Sequence, residues 1–285
     1  MPPPDSPADH PKKTLAALGL SPRKSFGQNF LHDRNIARKI VDLAGSVPPP
    51  YLEIGPGLGA LTRPLAETGA RVVAVEVDRG LSAYLRREFA GTSVDVLEAD
   101  FLAVTVDEWR ARFPAGGTVA GNLPYSISSP VILRLIELRE LFPRAVLMLQ
   151  REMAERLCAP PRCKEYGILS VYLSVLSETR KEFPVRQSCF HPAPDVDSTV
   201  ITIRFFGEVS DPLLGALRSV VRAGFAHRRK TLRNAPVPFL TGGTEQWCGM
   251  LRAEGIDPGA RAEEVPPAAW LSLARLLLRQ PSGGG

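Results

Sequence analysis

No apolar run in the 285-residue chain approaches the roughly 20 residues that a helix needs to cross a bilayer. The opening residues Met1-Pro2-Pro3-Pro4-Asp5 hold no apolar secretory core. Together these absences make a cytoplasmic protein the expectation. Cysteine is scarce: Cys158, Cys163, Cys189 and Cys248 stand at no zinc-ligand spacing, and no histidine pair does either. No resident metal is expected, and the thiols read as reduced and partly buried. Acidic residues are in modest deficit, 30 against 35 Lys and Arg, a formal charge of +5. That balance permits a polyanionic partner without requiring one. The 44% hydrophobic content is ordinary for a globular chain and supplies a core for one large domain or two.

The stretch around which the chain is organised is Asn122-Leu123-Pro124-Tyr125. It follows an apolar run, Thr118-Val119-Ala120-Gly121, that reads as a buried strand. It precedes Ser126-Ile127-Ser128-Ser129-Pro130, which reads as a helix start. An amide, a main-chain carbonyl, a rigid proline and an aromatic ring therefore sit at the carboxyl end of a strand, where open α/β sheets hold their ligands. The Asn122 side chain and the Leu123 carbonyl can both accept from an exocyclic amine, and Tyr125 can stack on a flat base. The plain alternative is a strand-to-helix turn, for which Asn and Pro are common residues.

A βαβ unit precedes it. Tyr51-Leu52-Glu53-Ile54 reads as a strand, Gly55-Pro56-Gly57-Leu58-Gly59 as a tight turn, Leu58 to Thr68 as a helix, and Arg71 to Val77 as the next strand. Glycines let a backbone approach its ligand, and the helix start offers free N–H groups. Glu76 ends the second strand, where a carboxylate accepts from ribose hydroxyls. Asp100, after the strand Val94 to Glu98, is placed to accept from an adenine amino group, or serves as an ordinary loop acid. The turn, Glu76, Asp100 and Asn122 thus follow four strands on one rim. Gly55, Gly57 and Ala60 also fit a dinucleotide spacing, so this unit leaves the nucleoside cofactor open.

The expected organisation is a disordered tail over residues 1–21, a catalytic α/β domain over 22–208 and a smaller helical, RNA-binding domain over 209–285. Five prolines before residue 14 argue for the tail. Pro22 to Leu31 mixes basic, aromatic and amide residues; Arg23 and Lys24 are either a solvated pair or cations facing a phosphate backbone. The loop from Phe190 to Ser198 is stiffened by Pro192 and Pro194, so Phe190 reads as a fixed hydrophobic plug or as a second wall for a flipped base. From Arg218 to Asn234 the cations Arg218, Arg222, Arg228, Arg229, Lys230 and Arg233 meet no acid, a one-sidedness suited to RNA phosphates.

Several stretches carry a resemblance: Phe26-Gly27-Gln28-Asn29-Phe30-Leu31, Glu53-Ile54-Gly55-Pro56-Gly57, Glu76-Val77-Asp78, Asn122-Leu123-Pro124-Tyr125, the Phe190 loop and Arg228-Arg229-Lys230-Thr231-Leu232. On these the chain resembles the small-subunit (16S) rRNA adenine N6-dimethyltransferases, from about Lys24 to Pro236. The resemblance implies a Rossmann-like, S-adenosylmethionine-dependent methyltransferase sheet. It implies two adjacent adenosines near the 3′ end of small-subunit rRNA as substrate, and the small ribosomal subunit as partner, with a monomer as the default state. Carried over by motif position, Asn29, Leu31, Gly55, Glu76, Asp100 and Asn122 would contact the cofactor. Asn122, Leu123, Tyr125 and Phe190 would form the catalytic pocket, and Arg228, Arg229 and Lys230 would contact RNA. The rivals are a large-subunit rRNA adenine methyltransferase of the antibiotic-resistance type, a non-catalytic RNA-binding assembly or transcription factor, and a nicotinamide-dependent dehydrogenase.

Overall fold

The computed structural model describes residues 10–23, 27–45, 50–207, 209–227 and 229–279. Residues 1–9, Lys24, Phe26 and Arg228, all named in the expectations above, lie outside these. The chain divides into two compact units, Met1–Ala154 with Arg180–Phe205, and Glu155–Thr179 with Phe206–Gly285.

The first unit is built on a parallel core. Strands β2 (Tyr51–Ile54), β3 (Val72–Glu76), β5 (Thr118–Asn122) and β6 (Arg144–Gln150) are buried along nearly their whole length. Strands covered on both faces lose the polar alternation of a half-exposed sheet. With β4 (Val94–Glu98), β7 (Ser177–Val185) and β9 (Ser198–Phe205) they form one sheet in the order β4-β3-β2-β5-β6-β9-β7. The pairings from β4 to β6 are parallel, and β9 returns antiparallel to β6. This is the Rossmann-like α/β architecture that the resemblance implies.

The strand order reverses between β2 and β5, so a crevice opens past their carboxyl ends. The two strands approach closely because position 121 is glycine: a Cβ there would lie 2.9 Å from the Ile54 carbonyl oxygen. The pair Ile54↔Gly121 sets the register, so Gly55 and Asn122 leave the sheet side by side. Around the sheet lie α2 (Arg34–Ala44), α3 (Thr62–Glu67), α4 (Arg79–Glu88), α5 (Val106–Arg112) and α6 (Ser128–Glu137). Asp33 caps α2 and Asp78 caps α4, each accepting two main-chain N–H groups. Helix α3 is shorter than the expected Leu58 to Thr68. Gly57 and Gly59 take φ of 59° and 84°, which no right-handed helix accommodates, so the chain turns until Thr62.

Two expectations are corrected. Residues 10–21 are not a disordered tail: α1 (Pro11–Ala17) forms there. Pro11 presets its first turn, and Leu15 is buried against Phe30 and Leu81. The stretch Glu155–Thr179 groups with the C-terminal unit rather than with the catalytic domain. It carries α8 (Ile168–Leu176), whose Val171, Tyr172, Leu173 and Leu176 are all buried. A helix so uniformly apolar needs helices around it. In the same unit α9 (Asp211–Phe225) and α11 (Pro267–Arg279) supply them, and α10 (Gly243–Ala253) packs against α11. Gly224 leaves room for the fully buried Trp270, whose ring occupies the space a Cβ would take. Polar ties join buried aromatic residues to the main chain: Tyr166 donates to the Val265 carbonyl at 3.0 Å, and Trp247 Nε1 to the Leu232 carbonyl at 2.9 Å.

A candidate active site at the crossover of the sheet

A cleft of about 230 Å³ lies past the ends of β2, β3 and β5. Its wall brings together eight residues that the sequence singles out: Asn29, Leu31, Gly55, Glu76, Asp100, Asn122, Leu123 and Tyr125. They come from five separate stretches, and the strand register sets their relation.

The glycine turn forms one side. Gly55, Gly57 and Gly59 all have positive φ, which glycine adopts at no steric cost. The Gly57 N–H donates to Glu76 Oε2 at 3.1 Å, and the Asp78 N–H donates to Oε1 at 2.9 Å. Glu76 is 5% exposed, and burial pushes its carboxyl above the usual range while these two N–H groups oppose that rise. Each oxygen keeps a further lone pair for a ligand. Asp100 is exposed at the rim, where its Oδ1 accepts from the Leu102 N–H at 2.9 Å.

Glu53 also lines the cleft, and sequence reasoning gave it no role there. Its side chain is 1% exposed and its Oε2 has no hydrogen-bond partner among the described residues. Burial pushes its carboxyl up to about 8; Thr62 beside it works the other way, and the negative charge of Glu76 adds to the rise. The available signal was an acid between Leu52 and Ile54 in an otherwise apolar strand.

The other side is the Asn122 turn. Asn122 Nδ2 donates to the Asn29 carbonyl at 2.9 Å, which leaves Oδ1 as the acceptor of this amide. The Leu123 N–H is held by the Met148 carbonyl at 3.1 Å, while the Leu123 carbonyl accepts from no described main-chain donor. Ser128 Oγ donates to the Pro124 carbonyl at 3.1 Å and closes the turn. Tyr125 is half-buried, its hydroxyl 3.4 Å from Ser198 Oγ, and burial raises the phenol.

Phe190 is not part of the wall. It sits on β8 (Phe190–His191), paired antiparallel with β1 (Phe30–Leu31) so that Leu31 faces it. Directly opposed residues share a face of the ladder. Leu31 reaches the cleft, and Phe190 packs behind it at 4% exposure with Ile40 and Val200. In this structure its ring belongs to the hydrophobic layer behind Leu31. Arg229 and Lys230 are exposed in the second unit. Among the described residues no cluster of His, Cys, Asp and Glu has the arrangement to hold a metal ion, and no helix is long and apolar enough to cross a membrane.

The family description "Ribosomal RNA adenine dimethylase" matches residues 19–278. The chain belongs to the ribosomal RNA adenine dimethylase family. It is 43% identical over 276 residues to the ribosomal RNA small subunit methyltransferase A of Geobacter sulfurreducens, a match covering 91% of this chain and 96% of that protein. The protein of the same description from Myxococcus xanthus is 40% identical, covering 94% and 95%. Among solved structures, a dimethyladenosine transferase from Plasmodium falciparum superposes with a TM-score of 0.71 at 26% identity, over 86% of this chain and 95% of that one. The 23S rRNA methyltransferase ErmE gives 0.65 at 28% identity, over 88% and 100%. As a member of the family this chain is an rRNA adenine dimethyltransferase, and the fold and family imply S-adenosylmethionine as its methyl donor.

Proposed function

We propose that this enzyme dimethylates N6 of two adjacent adenosines near the 3′ end of small-subunit (16S) rRNA during ribosome biogenesis, in the cytoplasm and as a monomer. The observation that carries the reading is the Asn122 amide. Its nitrogen is committed to the Asn29 carbonyl, so its oxygen is left to accept, beside the Leu123 carbonyl. Two acceptors side by side match the two N–H bonds of an adenine exocyclic amine.

The residues present fit S-adenosylmethionine. Glu76 suits the ribose hydroxyls, Asp100 the adenine amino group, and the glycine turn at Gly55 permits close approach, with Asn29 and Leu31 covering from the arm. The unpartnered Glu53 oxygen suits a cationic amine. Bound there, the donor supplies an electrophilic methyl group on a sulfonium sulfur.

The chain's own work is done on the acceptor base. The N6 lone pair of adenine is delocalised into the ring and attacks poorly. Hydrogen bonds to the Asn122 oxygen and the Leu123 carbonyl favour a tetrahedral nitrogen and aim its lone pair. Tyr125 stacks on one ring face, an interaction worth ~1–3 kcal/mol per base. The base leaves its stack to enter, as bases modified by other enzymes do. Positioning two bound reactants supplies ~7–11 kcal/mol of the barrier reduction. No strong general base is required, because the N6 proton becomes acidic once the methyl adds and leaves to water. A monomethylated amine keeps one N–H for these acceptors, which permits the second round. Arg229 and Lys230, with Arg228, make the C-terminal unit the RNA-binding domain.

The test is methyl transfer from labelled S-adenosylmethionine to isolated unmethylated small and large ribosomal subunits, with the modified base mapped. Label in dimethyladenosine of small-subunit RNA alone is expected. Label in large-subunit RNA would move the enzyme to the reading that its likeness to ErmE favours.

A further inference from the structure

An asparagine amide is a donor on one side and an acceptor on the other, and the two halves have nearly the same shape. Something must therefore decide which half Asn122 shows to the target. The bond from Nδ2 to the Asn29 carbonyl joins residues 93 apart in sequence. Turning the amide over would set Oδ1 against that carbonyl, two acceptors at hydrogen-bond distance with no proton between them.

The carbonyl is itself held. Asn29 Nδ2 donates to the Gly27 carbonyl at 3.2 Å. Gly27, at φ 60°, lies against Pro124: a Cβ there would be 3.6 Å from the Pro124 Cβ and 3.8 Å from the Tyr125 nitrogen. On the other side of Asn29, Phe30 enters the β1–β8 ladder opposite His191. The main chain of the Asn122 turn is fixed through Met148 on β6. Both partners of the bond therefore sit on constrained backbone.

We propose that the main-chain carbonyl of Asn29 is a specificity-determining group: it locks the Asn122 amide with its oxygen towards the target, so that the pocket takes a base carrying an exocyclic amine and rejects one carrying a carbonyl there. This rests on the role given to Asn122 above. It also accounts for asparagine rather than aspartate at this position. A carboxylate would put an anionic acceptor against the Asn29 carbonyl, itself an acceptor. Aspartate could serve only with a proton on that oxygen, donating to Asn29 while its other oxygen accepts from the substrate. The other titratable groups on the cleft wall are Glu53, Glu76, Asp100 and Tyr125; none is a cation, so none would favour the ionised aspartate, and each carboxylate that is ionised favours the protonated acid further.

Two measurements test the lock. In ¹⁵N-labelled wild-type protein, the Asn122 side-chain amide is assigned by its loss in Asn122→Ala. One of its two protons should be shifted downfield and protected from exchange at least tenfold relative to exposed asparagines. Exchange of both protons at the solvent-exposed rate overturns the proposal, and this result does not depend on which RNA is the substrate. The second is the rate of methyl transfer by Asn122→Asp divided by that of wild type, from pH 6 to pH 9, on unmethylated small subunits. The ratio should fall as pH rises, approaching tenfold per pH unit at the alkaline end. A ratio independent of pH, in a variant that binds donor normally, overturns the lock. Wild-type enzyme with a protected amide proton but no transfer to any subunit would instead defeat the functional reading and leave the lock standing.

Discussion

Glu53→Gln should stabilise this protein, and by an amount that depends on pH. The carboxyl is buried in β2 with one oxygen unpartnered, and burial raises it from 4.5 to about 8. Below pH 4.5 the group is neutral in both folded and unfolded chains. Between about 4.5 and 8 the unfolded chain releases its proton and the folded chain keeps it, so stability falls as pH rises. Above about 8 both states are ionised and the loss is complete. At about 1.4 kcal/mol per pH unit, that window sets a ceiling of roughly 5 kcal/mol. Glutamine is neutral throughout, has nearly the same shape and suffers no such loss. The melting temperatures of Glu53→Gln and wild type should therefore coincide near pH 4.5 and diverge in favour of the variant towards pH 8. At ~2–4 °C per kcal/mol for a chain of this size, the gap at pH 8 reaches several degrees or more. Scanning calorimetry across that range is the assay. A gap that does not change with pH, or one that favours wild type as pH rises, would refute the reasoning.

The same carboxyl predicts that donor binding to wild type releases a proton near pH 7, seen by calorimetry in buffers of different ionisation enthalpy, and that Glu53→Gln abolishes the release. Asn122→Ala should lower single-turnover methyl transfer by about 100-fold or more, the scale of losing one preorganised transition-state hydrogen bond, with circular dichroism little changed. Gly57→Ala forces an L-residue to a φ of 59° and its Cβ to 3.1 Å from the Phe30 ring, so donor affinity should fall about tenfold or more in equilibrium titration. The double variant Arg229→Ala, Lys230→Ala should weaken RNA binding and shallow the dependence of log affinity on log salt by about 1.4 to 1.8, if both cations contact phosphate.

Much of the site was legible because its signals are local. The glycines at 55, 57 and 59 announce a turn that other residues resist, and all three take positive φ. The acid at 76 ends the strand on one side of β2, and Asn-Leu-Pro-Tyr begins at the end of the strand on its other side; register then carries both to one cleft. Such features depend on a residue and its near neighbours, so sequence spacing reports them. From residue 10 onward the expected tail failed because proline content speaks to the solvated chain, whereas Leu15 had a distant pocket between Phe30 and Leu81.

The sequence by itself determined the parallel sheet, the glycine turn, the acid and amide at the strand ends and the family to which the chain belongs. The first three rest on backbone preferences and on the period of apolar residues, and the family on the resemblance that the motifs carry. Tertiary structure alone decided that Phe190 packs behind Leu31, that Glu53 is a buried acid facing the cleft, that residues 155–179 group with the C-terminal unit, and that Asn29 holds the Asn122 amide. Each of these depends on which surfaces cover one another across long stretches of chain, and burial of that kind has no signature in the neighbouring residues.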